Sequence, residues 1–246
     1  MDRDILAGGR PGQAVSRYPK VRPPLPPAHA ALYERHYREN REGASAASGI
    51  AQRLEAWMHR TVAADARDRN PGSTLEIGAG TLNQLPYEPY TTPYDVVEPF
   101  TMLYADSPLR ERVRTFYTDI ADVPASRTYE RITSIATFEH VLHLPDLIAG
   151  CVKHLAPSGT MRIAVPSEGT PLWACAWRLG TGVEFRLRHG LDYAPIMRHE
   201  HVNTAAEVEQ LLSARFSRVE RRVFGLARSL SLYQCFLCSE PLPFTR

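Results

Sequence analysis

The chain has little of several features that would assign a protein to a functional class at once. Lysine occurs only at Lys20 and Lys153, so arginine supplies 27 of the 29 basic residues, and the formal net charge is +2. No dense basic run is present, which disfavours nucleic acid as a partner. No apolar run is long enough to span a bilayer, so we expect no membrane partner either.

Cysteine is scarce as well, with four residues at positions 151, 175, 235 and 238. Nothing resembling a secretory signal peptide precedes them, and we therefore expect a cytoplasmic protein with reduced thiols. Cys235 and Cys238 fall in a predicted strand at a spacing that places them on opposite faces, which disfavours a shared metal or redox role. The hydrophobic content of 43% in 246 residues is enough for one domain with an appendage.

A glycine turn between two short apolar stretches is the most informative feature that is present. Thr74–Ile77 is typical of a buried strand, and Gly78 and Gly80 follow it, where the absent side chains let the backbone turn and approach a ligand. A second predicted strand, Tyr94–Val97, ends at the acid Glu98. This turn, with an acid about 20 residues later, is the pattern by which a Rossmann-like sheet binds a nucleoside and its ribose hydroxyls.

The turn distinguishes between two kinds of nucleoside cofactor. The dinucleotide fingerprint Gly-x-Gly-x-x-Gly is not satisfied, because Asn83 occupies the third glycine position and the turn has no basic residue to offset phosphate charge. An acid lies inside the strand instead, in the pattern Glu76-x-Gly78-x-Gly80. This pattern resembles the first motif, acid-x-Gly-x-Gly-x-Gly, of the class I S-adenosylmethionine-dependent methyltransferases, although Leu82 replaces its last glycine. The resemblance favours S-adenosylmethionine over NAD as the cofactor.

The resemblance covers residues 72–240 and implies a fold and a domain organisation. The expected fold is α/β, with a Rossmann-like, seven-stranded and mostly parallel sheet of order 3-2-1-4-5-7-6 whose strand 7 is antiparallel, and with an N-terminal helical lid. Residues 1–28 are rich in Pro, Gly and Arg and are expected to be flexible, as a tail or as an arm over the site or a partner. Residues 29–71 are predicted to form the lid helices. Residues 72–246 are predicted to form the cofactor-binding domain, with a substrate-recognition insertion at about 167–203.

The resemblance also implies roles for residues at the carboxyl ends of the first strands. Glu76 and Gly78 would face the methionyl amino group of the cofactor, and Glu98 would bind the ribose hydroxyls. Asp119 would receive the adenine amino group beside Ile120, although an Asp in this position equally caps a following helix. The full set expected to bind S-adenosylmethionine is Glu76, Gly78, Ala79, Gly80, Glu98, Pro99, Asp119, Ile120, Thr137 and Phe138.

Three histidines are candidates for acid–base work. Methyl transfer requires an acceptor atom close to the methyl group, and a base where the acceptor is a hydroxyl or an ammonium. His140 follows a predicted fourth strand at the sheet edge where α/β proteins place their chemistry, and the alternative is a helix-start residue bonded to the backbone. His199 and His201 could reach in from the insertion. With Glu200 between them they form a weak metal-ligand pattern, and no metal is expected.

Two aromatic segments are candidates for substrate binding. A predicted helix before the first strand gathers Tyr33, His36 and Tyr37, which either close over the substrate or pack into the core. The insertion mixes aromatic residues with arginine, which suits a substrate with an apolar body and an anionic group; a helical hairpin with a solvated basic face is the alternative. The expected substrate-binding residues are Tyr33, His36, Tyr37, Trp173, Trp177 and Arg186.

The resemblance therefore implies methyl transfer to an oxygen or nitrogen of a small molecule, in bacterial specialised metabolism or sugar tailoring. One alternative is an enzyme that performs other chemistry on S-adenosylmethionine itself, such as intramolecular cyclisation. Another is a non-catalytic binding module in which Leu82 marks a decayed site, although the intact acids Glu76, Glu98 and Asp119 argue against decay. The arginine- and aromatic-rich surface is compatible with a homodimer, and the sequence leaves the oligomeric state open.

Overall fold

A computed structural model describes residues 17–33, 49–69, 72–89 and 92–243. A first helix, α1, is described over residues 27–33. The other helices are α2 Gly49–Arg69, α3 Leu144–Lys153, α4 Pro171–Leu179, α5 Thr181–His189, α6 Ala194–Glu200 and α7 Ala205–Ser213. The strands are β1 Thr74–Ile77, β2 Tyr94–Val97, β3 Thr115–Tyr117, β4 Tyr129–Ile135, β5 Leu155–Pro166, β6 Phe216–Gly225 and β7 Ser231–Pro241.

The described strands form one seven-stranded sheet of order β3-β2-β1-β4-β5-β7-β6. The pairs from β3 to β5 are parallel, and β7 is antiparallel to both β5 and β6. The predicted α/β fold, strand order and antiparallel seventh strand are therefore confirmed. Because β1 to β4 are parallel, their carboxyl ends meet at one edge of the sheet, which is where this architecture places ligands.

The central strands are buried because helices cover both faces of the sheet. All four residues of β1 and all four of β2 are buried, as expected for parallel strands with helices on both sides. Cys235 and Cys238 pack into two different core clusters, so the predicted placement on opposite faces of β7 is confirmed. None of the described helices has the length and apolar character needed to cross a lipid bilayer.

The segment that precedes α1 packs on the domain. Tyr18 donates a 2.7 Å hydrogen bond to Oδ1 of Asn203, and Lys20 Nζ contacts Glu207 at 2.7 Å. Residues 17–28 of the segment predicted to be flexible therefore have partners on the domain, through polar side chains in this proline-rich stretch. Residues 1–16 of that prediction lie outside the described residues.

A buried arginine fixes α2 against the sheet. Arg131 on β4 is 1% exposed and binds Glu88 through two hydrogen bonds of 2.9 and 3.0 Å. Its Nε also donates to Asp65 of α2 at 3.1 Å, and Asp65 accepts a second bond of 2.7 Å from Arg162 on β5. A buried charge is tolerated only when it is paired, so this network determines where α2 lies.

We expect Glu88→Gln to destabilise the protein by about 3 kcal/mol, because Arg131 would lose a buried counter-charge. The free energy of unfolding in urea is the measurement. The matched control is Glu184→Gln, which removes an exposed i,i+4 partner of Arg188 and should change stability by less than about 0.5 kcal/mol. Equal effects of the two changes would show that the network does not stabilise the fold.

Candidate functional site

The turn after β1 has a backbone that only particular residues allow. Gly78 has a φ of +70°, and an added Cβ would lie 2.3 Å from Oγ1 of Thr137, so any side chain there is excluded. Gly80 has a φ of +52°, and no described atom lies within 4 Å of an added Cβ. Gly78 is therefore required by close packing against the end of β4, whereas Gly80 leaves open space beside the backbone where a ligand can approach.

Leu82, at the position of the last glycine of the family motif, has a backbone conformation that glycine adopts readily. Its φ is +68°, a left-handed conformation that costs a non-glycine residue roughly 1–2 kcal/mol. The side chain is fully buried in a core cluster with Leu85, Tyr94 and Val96. Burial of a leucine contributes about 1.5–3 kcal/mol, which offsets that strain. At the position where this chain departs from the family motif, the backbone is therefore left-handed and the side chain belongs to the core.

Glu98 connects the turn to the end of β2. Its carboxylate accepts hydrogen bonds of 2.9 Å from the backbone N–H groups of Gly80 and Phe100, and the residue is 4% exposed. The acid predicted to bind ribose is thus held at the carboxyl edge of the sheet. Because a carboxylate offers about four acceptor positions, two remain for a ligand.

Two neighbouring cavities, of about 760 and 460 Å³, adjoin this edge, and Gly78 lines both. The larger has a mostly apolar lining that includes Asp119, which suits an adenine ring, and the smaller lies between the turn and α2. The predicted cofactor residues at the larger cavity are Gly78, Pro99, Asp119, Ile120 and Thr137, and those at the smaller are Glu76, Gly78, Ala79 and Gly80. These linings fit the neutral ring, ribose and amino-acid portion of S-adenosylmethionine.

Phe138 and Asp119, two of the predicted cofactor residues, have structural roles in the protein itself. Phe138 is fully buried in the main core cluster, so its side chain packs inside the domain. Asp119 accepts a 2.8 Å bond from the backbone N–H of Ala121 and caps the short helix Ile120–Asp122. Asp119 also lines the larger cavity, so the capping role and the adenine role are compatible.

Glu76 carries an unusual carboxyl group. Burial raises its pKa to about 8, and the nearby acids Glu88 and Glu98 add to this effect. The hydrogen bond of 2.8 Å from the Tyr94 hydroxyl and the charge of Arg131 lower the pKa only in part. A buried carboxyl without an adjacent cation stays protonated near neutral pH, and a cation bound in the smaller cavity would favour its ionised form.

A second cluster of polar groups follows β4. It contains Glu139 and His140 from the short helix Phe138–His140, together with Glu168, Glu200 and His201 from the insertion. Nδ1 of His140 lies 2.9 Å from the backbone oxygen of Glu200 and 3.3 Å from its Oε2. Nδ1 of His201 lies 3.0 Å from Oε2 of Glu168. We call these five residues the histidine–carboxylate cluster.

The charges of the cluster are coupled. Burial alone lowers the pKa of His140, but the contacts with Glu200 and Glu139 outweigh it and raise the pKa above its ordinary value. Burial likewise raises the pKa of Glu200, yet hydrogen bonds from His140 and Tyr33 outweigh it and lower the pKa to about 2. Glu139 is fully buried, and burial raises its pKa. The cluster therefore combines an ionised Glu200 with an imidazole whose protonated form the neighbouring carboxyl groups favour.

The three predicted catalytic histidines separate into two places. His140 and His201 lie together, with ring centroids 5.1 Å apart. His199 instead contacts the N-terminal segment, with Nδ1 2.8 Å from the backbone oxygen of Pro23 and its ring edge against Tyr33. The prediction of His199 as a catalytic residue is therefore not supported by its position, because its ring is held by residues outside the cluster.

The predicted substrate residues are also divided. Trp173 stacks on His201 and donates from Nε1 to Glu168 at 2.7 Å, and the Tyr33 hydroxyl donates to Glu200. Trp177 lines a third cavity, of about 420 Å³, whose lining also includes Glu168 and His201. Arg186 is exposed on α5 and is absent from the lining of this cavity, so its role in substrate binding stays a prediction. His36 and Tyr37 lie outside the described residues.

Sequence reasoning missed Glu139 and Glu168 as members of the site, and it placed Glu200 only in a weak metal-ligand pattern with His199 and His201. The Glu139-His140 pair was visible in the sequence, and the acid beside a candidate histidine was the available signal. Glu168 lies 33 positions from His201, and no local spacing connects the two.

We expect Glu76→Gln to make the free energy of unfolding less dependent on rising pH. The folded state holds a proton on Glu76 up to a pKa of about 8, against an ordinary value of 4.5, so this group's contribution to stability is full at low pH and is lost as pH rises between these values. The free energy of unfolding of the variant minus that of the wild type should grow across this window by a few kcal/mol. Urea unfolding at several pH values measures it, and a constant difference would contradict the assignment.

The sequence matches one family model, described as a methyltransferase domain, over residues 46–215. No curated protein matches the chain at a significant level. Similar solved structures include the N-methyltransferase NodS from Bradyrhizobium japonicum WM9 with S-adenosyl-L-homocysteine, at 16% identity, a TM-score of 0.52, and coverage of 80% of this chain and 89% of that one.

Two further solved structures are similar in fold. The plantazolicin methyltransferase BpumL, in complex with a monoazolic desmethylPZN analog and SAH, has 14% identity, a TM-score of 0.57, and coverage of 94% of this chain and 95% of that one. The CurJ carbon methyltransferase has 21% identity, a TM-score of 0.52, and coverage of 74% and 54%. The family model spans more than half of the chain, and the glycine turn and acids lie at the expected sheet edge. The chain therefore belongs to the methyltransferase-domain family and is a class I methyltransferase that uses S-adenosylmethionine as its cofactor.

Proposed function

We propose that this enzyme transfers the methyl group of S-adenosylmethionine to an oxygen or nitrogen of a small molecule. The observation that carries the proposal is the histidine–carboxylate cluster, which follows Thr137 at the same sheet edge as the glycine turn. The bound cofactor supplies an electrophilic methyl group on a sulfonium. The chain's own residues have to hold the cofactor, hold the acceptor and manage the proton that the acceptor loses.

The residues proposed to hold the cofactor each bind a different part of it. Glu98 would accept from the ribose hydroxyls with the acceptor positions that Gly80 and Phe100 leave free. Asp119 and Ile120 would hold the adenine in the larger cavity. Glu76, at the smaller cavity, would face the methionyl ammonium, whose charge would compensate for the burial of this carboxyl.

His140 is the group proposed to manage the acceptor's proton. Its Nδ1 faces a backbone carbonyl oxygen, which only accepts hydrogen bonds, so Nδ1 carries the hydrogen in the neutral ring and Nε2 keeps its lone pair. An imidazole with a free Nε2 can accept a proton from a hydroxyl or an ammonium near neutral pH. NodS is described as an N-methyltransferase, which agrees with a nitrogen acceptor.

The third cavity is the proposed binding place for the acceptor. Trp177 and Met197 give it apolar surface, while Arg178 and Arg198 bring two guanidinium groups that suit a carboxylate or phosphate. His201, a member of the cluster that contacts His140, also lines this cavity. The acceptor is thus proposed to have an apolar body and an anionic group.

The third cavity and the cluster also favour methyl transfer over the two alternatives, cyclisation of S-adenosylmethionine and a non-catalytic binding module. Intramolecular cyclisation of S-adenosylmethionine requires no acceptor cavity, and a decayed binding module requires no cluster of paired histidines. The proposed setting is the bacterial cytoplasm, in specialised metabolism or sugar tailoring, in agreement with a composition rich in arginine and almost without lysine.

We expect the protein to bind S-adenosylmethionine and S-adenosylhomocysteine with dissociation constants of the order of micromolar, and NAD far more weakly. Glu98→Ala should weaken the binding of both sulfur nucleosides at least tenfold, because two charge-assisted hydrogen bonds to the ribose would be lost. Calorimetric titration is the measurement. Glu111→Ala, which changes an exposed acid, is the control and should bind as the wild type does. Tight NAD binding would overturn the proposed function.

We expect His140→Ala to lower kcat by about 100-fold or more while the affinity for S-adenosylmethionine changes little, because general-base help contributes about 10²–10⁴-fold. The measurement is S-adenosylhomocysteine formation with a panel of phenols and amines, each tested with and without a carboxylate. His189→Ala, a change on α5, is the control. Unchanged turnover in His140→Ala, with the control also active, would remove the cluster from the mechanism.

A further inference from the structure

Three side chains of the histidine–carboxylate cluster are close enough to share one ion. Glu139, His140 and His201 each offer one ligand atom, and these atoms all lie within 4.8 Å of one another. Glu139 and His140 come from the short helix after β4, whereas His201 ends the insertion, so the tertiary fold brings them together. Two imidazoles with one carboxylate are a common ligand set for divalent transition metals.

His140 and His201 are both oriented so that Nδ1 has an oxygen partner and Nε2 is available to bind an ion. Nδ1 of His140 faces the backbone oxygen of Glu200 at 2.9 Å, and Nδ1 of His201 faces the Glu168 carboxylate at 3.0 Å. Each Nδ1 therefore carries the hydrogen, and each Nε2 keeps a lone pair. Metal-binding histidines show this arrangement, in which an oxygen acceptor fixes the ring through its other nitrogen.

Glu139 supplies the independent observation. The residue is 2% exposed, and its Oε2 is buried without a hydrogen-bond partner among the residues that the structure describes. Its Oε1 lies 3.7 Å from Nε2 of His140. A buried carboxylate oxygen without a donor requires an explanation, and a bound cation is one of the usual ones.

The charges around the cluster favour a cation. Glu139, Glu168 and Glu200 contribute three carboxyl groups, and the only described cation in contact with the cluster is Arg22, which binds the backbone oxygens of His140 and Glu200. The guanidinium of Arg22 lies 4.0 Å from Oε2 of Glu200, on the side of that residue rather than at Glu139. The space between Glu139 and the two imidazoles therefore lies in a field of negative charge.

We propose that Glu139, His140 and His201 bind one divalent transition-metal ion, of the Zn²⁺ and Co²⁺ class, through the carboxylate and the two Nε2 atoms. Imidazole ligands suit these ions better than Mg²⁺ or Ca²⁺. Three protein ligands leave at least one coordination position open for water or for a ligand oxygen or nitrogen.

The role of the ion, though not its binding, rests on the proposed function. An acceptor hydroxyl or amine bound at the open position would have a lower pKa, and its proton would leave to solvent. With the ion present His140 is a ligand rather than the proton acceptor. In both cases His140→Ala lowers turnover, so the binding of the ion needs a test of its own.

The test is titration of the full chain with Co²⁺ and with Zn²⁺ after treatment with a chelator and buffer exchange. Calorimetry gives stoichiometry and affinity, and visible absorption of Co²⁺ reports its coordination. We expect one ion per chain. Glu139→Gln and His201→Gln should each weaken binding at least tenfold, and His143→Ala, an exposed histidine three residues after His140, should bind as the wild type does.

A conservative variant distinguishes loss of ion binding from loss of the fold. Glu168→Gln keeps the size of the side chain that orients His201 and accepts from Trp173, and loss of the charged partner of a ligating imidazole typically weakens metal binding about 10- to 100-fold. Far-ultraviolet circular dichroism checks that each variant is folded. A wild type that binds no ion, or ligand variants that bind as tightly as the wild type, would overturn the proposal.

Titration of the same samples with S-adenosylmethionine separates the metal site from the proposed function. Cofactor binding without ion binding overturns the metal site alone, whereas ion binding without cofactor binding overturns the proposed function.

Discussion

The placement of one buried positive charge is the constraint on which the cofactor side of the molecule depends. Arg131 lies in the middle of the sheet, and Glu88 and Asp65 neutralise it from a loop and from α2. A helix that is held by a counter-charge has little freedom to slide, so Met58 and His59 of α2 form a fixed wall of the smaller cavity. The turn at Gly78, which forms the opposite wall, packs against Thr137 at the end of the same strand that carries Arg131. Both walls therefore take their positions from β4.

The acceptor side is assembled differently, from three distant parts of the chain. Glu139 and His140 follow β4, Glu168 and Glu200 come from the two ends of the insertion, and Tyr33 reaches Glu200 from α1. Arg22 completes this side by binding the backbone oxygens of His140 and Glu200. The N-terminal segment and the insertion are thus held to each other at the cluster, which means that neither alone determines its geometry.

This difference explains what could be predicted from the sequence. The turn, its two glycines and Glu98 lie within 25 positions, and their spacing alone indicated a nucleoside site and, through the family, the sheet order. The cluster depends on pairs such as His140 and Glu200, which are 60 positions apart, and on a choice between His199 and His201 that only packing decides. Composition did not indicate the contacts of residues 17–28, because proline content reports poor burial and does not report the partners of Tyr18 and Lys20. Leu82 looked like a defect in the motif, yet its backbone adopts the positive φ of a glycine.

The order of the last two strands has a consequence for how the chain is made. Strand β7 lies between β5 and β6, although it is the last of the three to be synthesised. Until residue 241 has left the ribosome, β5 has an unpaired edge and β6 has no neighbour in the sheet. Exposed strand edges pair readily with other chains, so the nascent protein passes through a stage in which it is prone to aggregate. Slow synthesis through residues 226–241 would prolong that stage, and a chaperone that covers the β5 edge would raise the yield of folded enzyme without changing its stability.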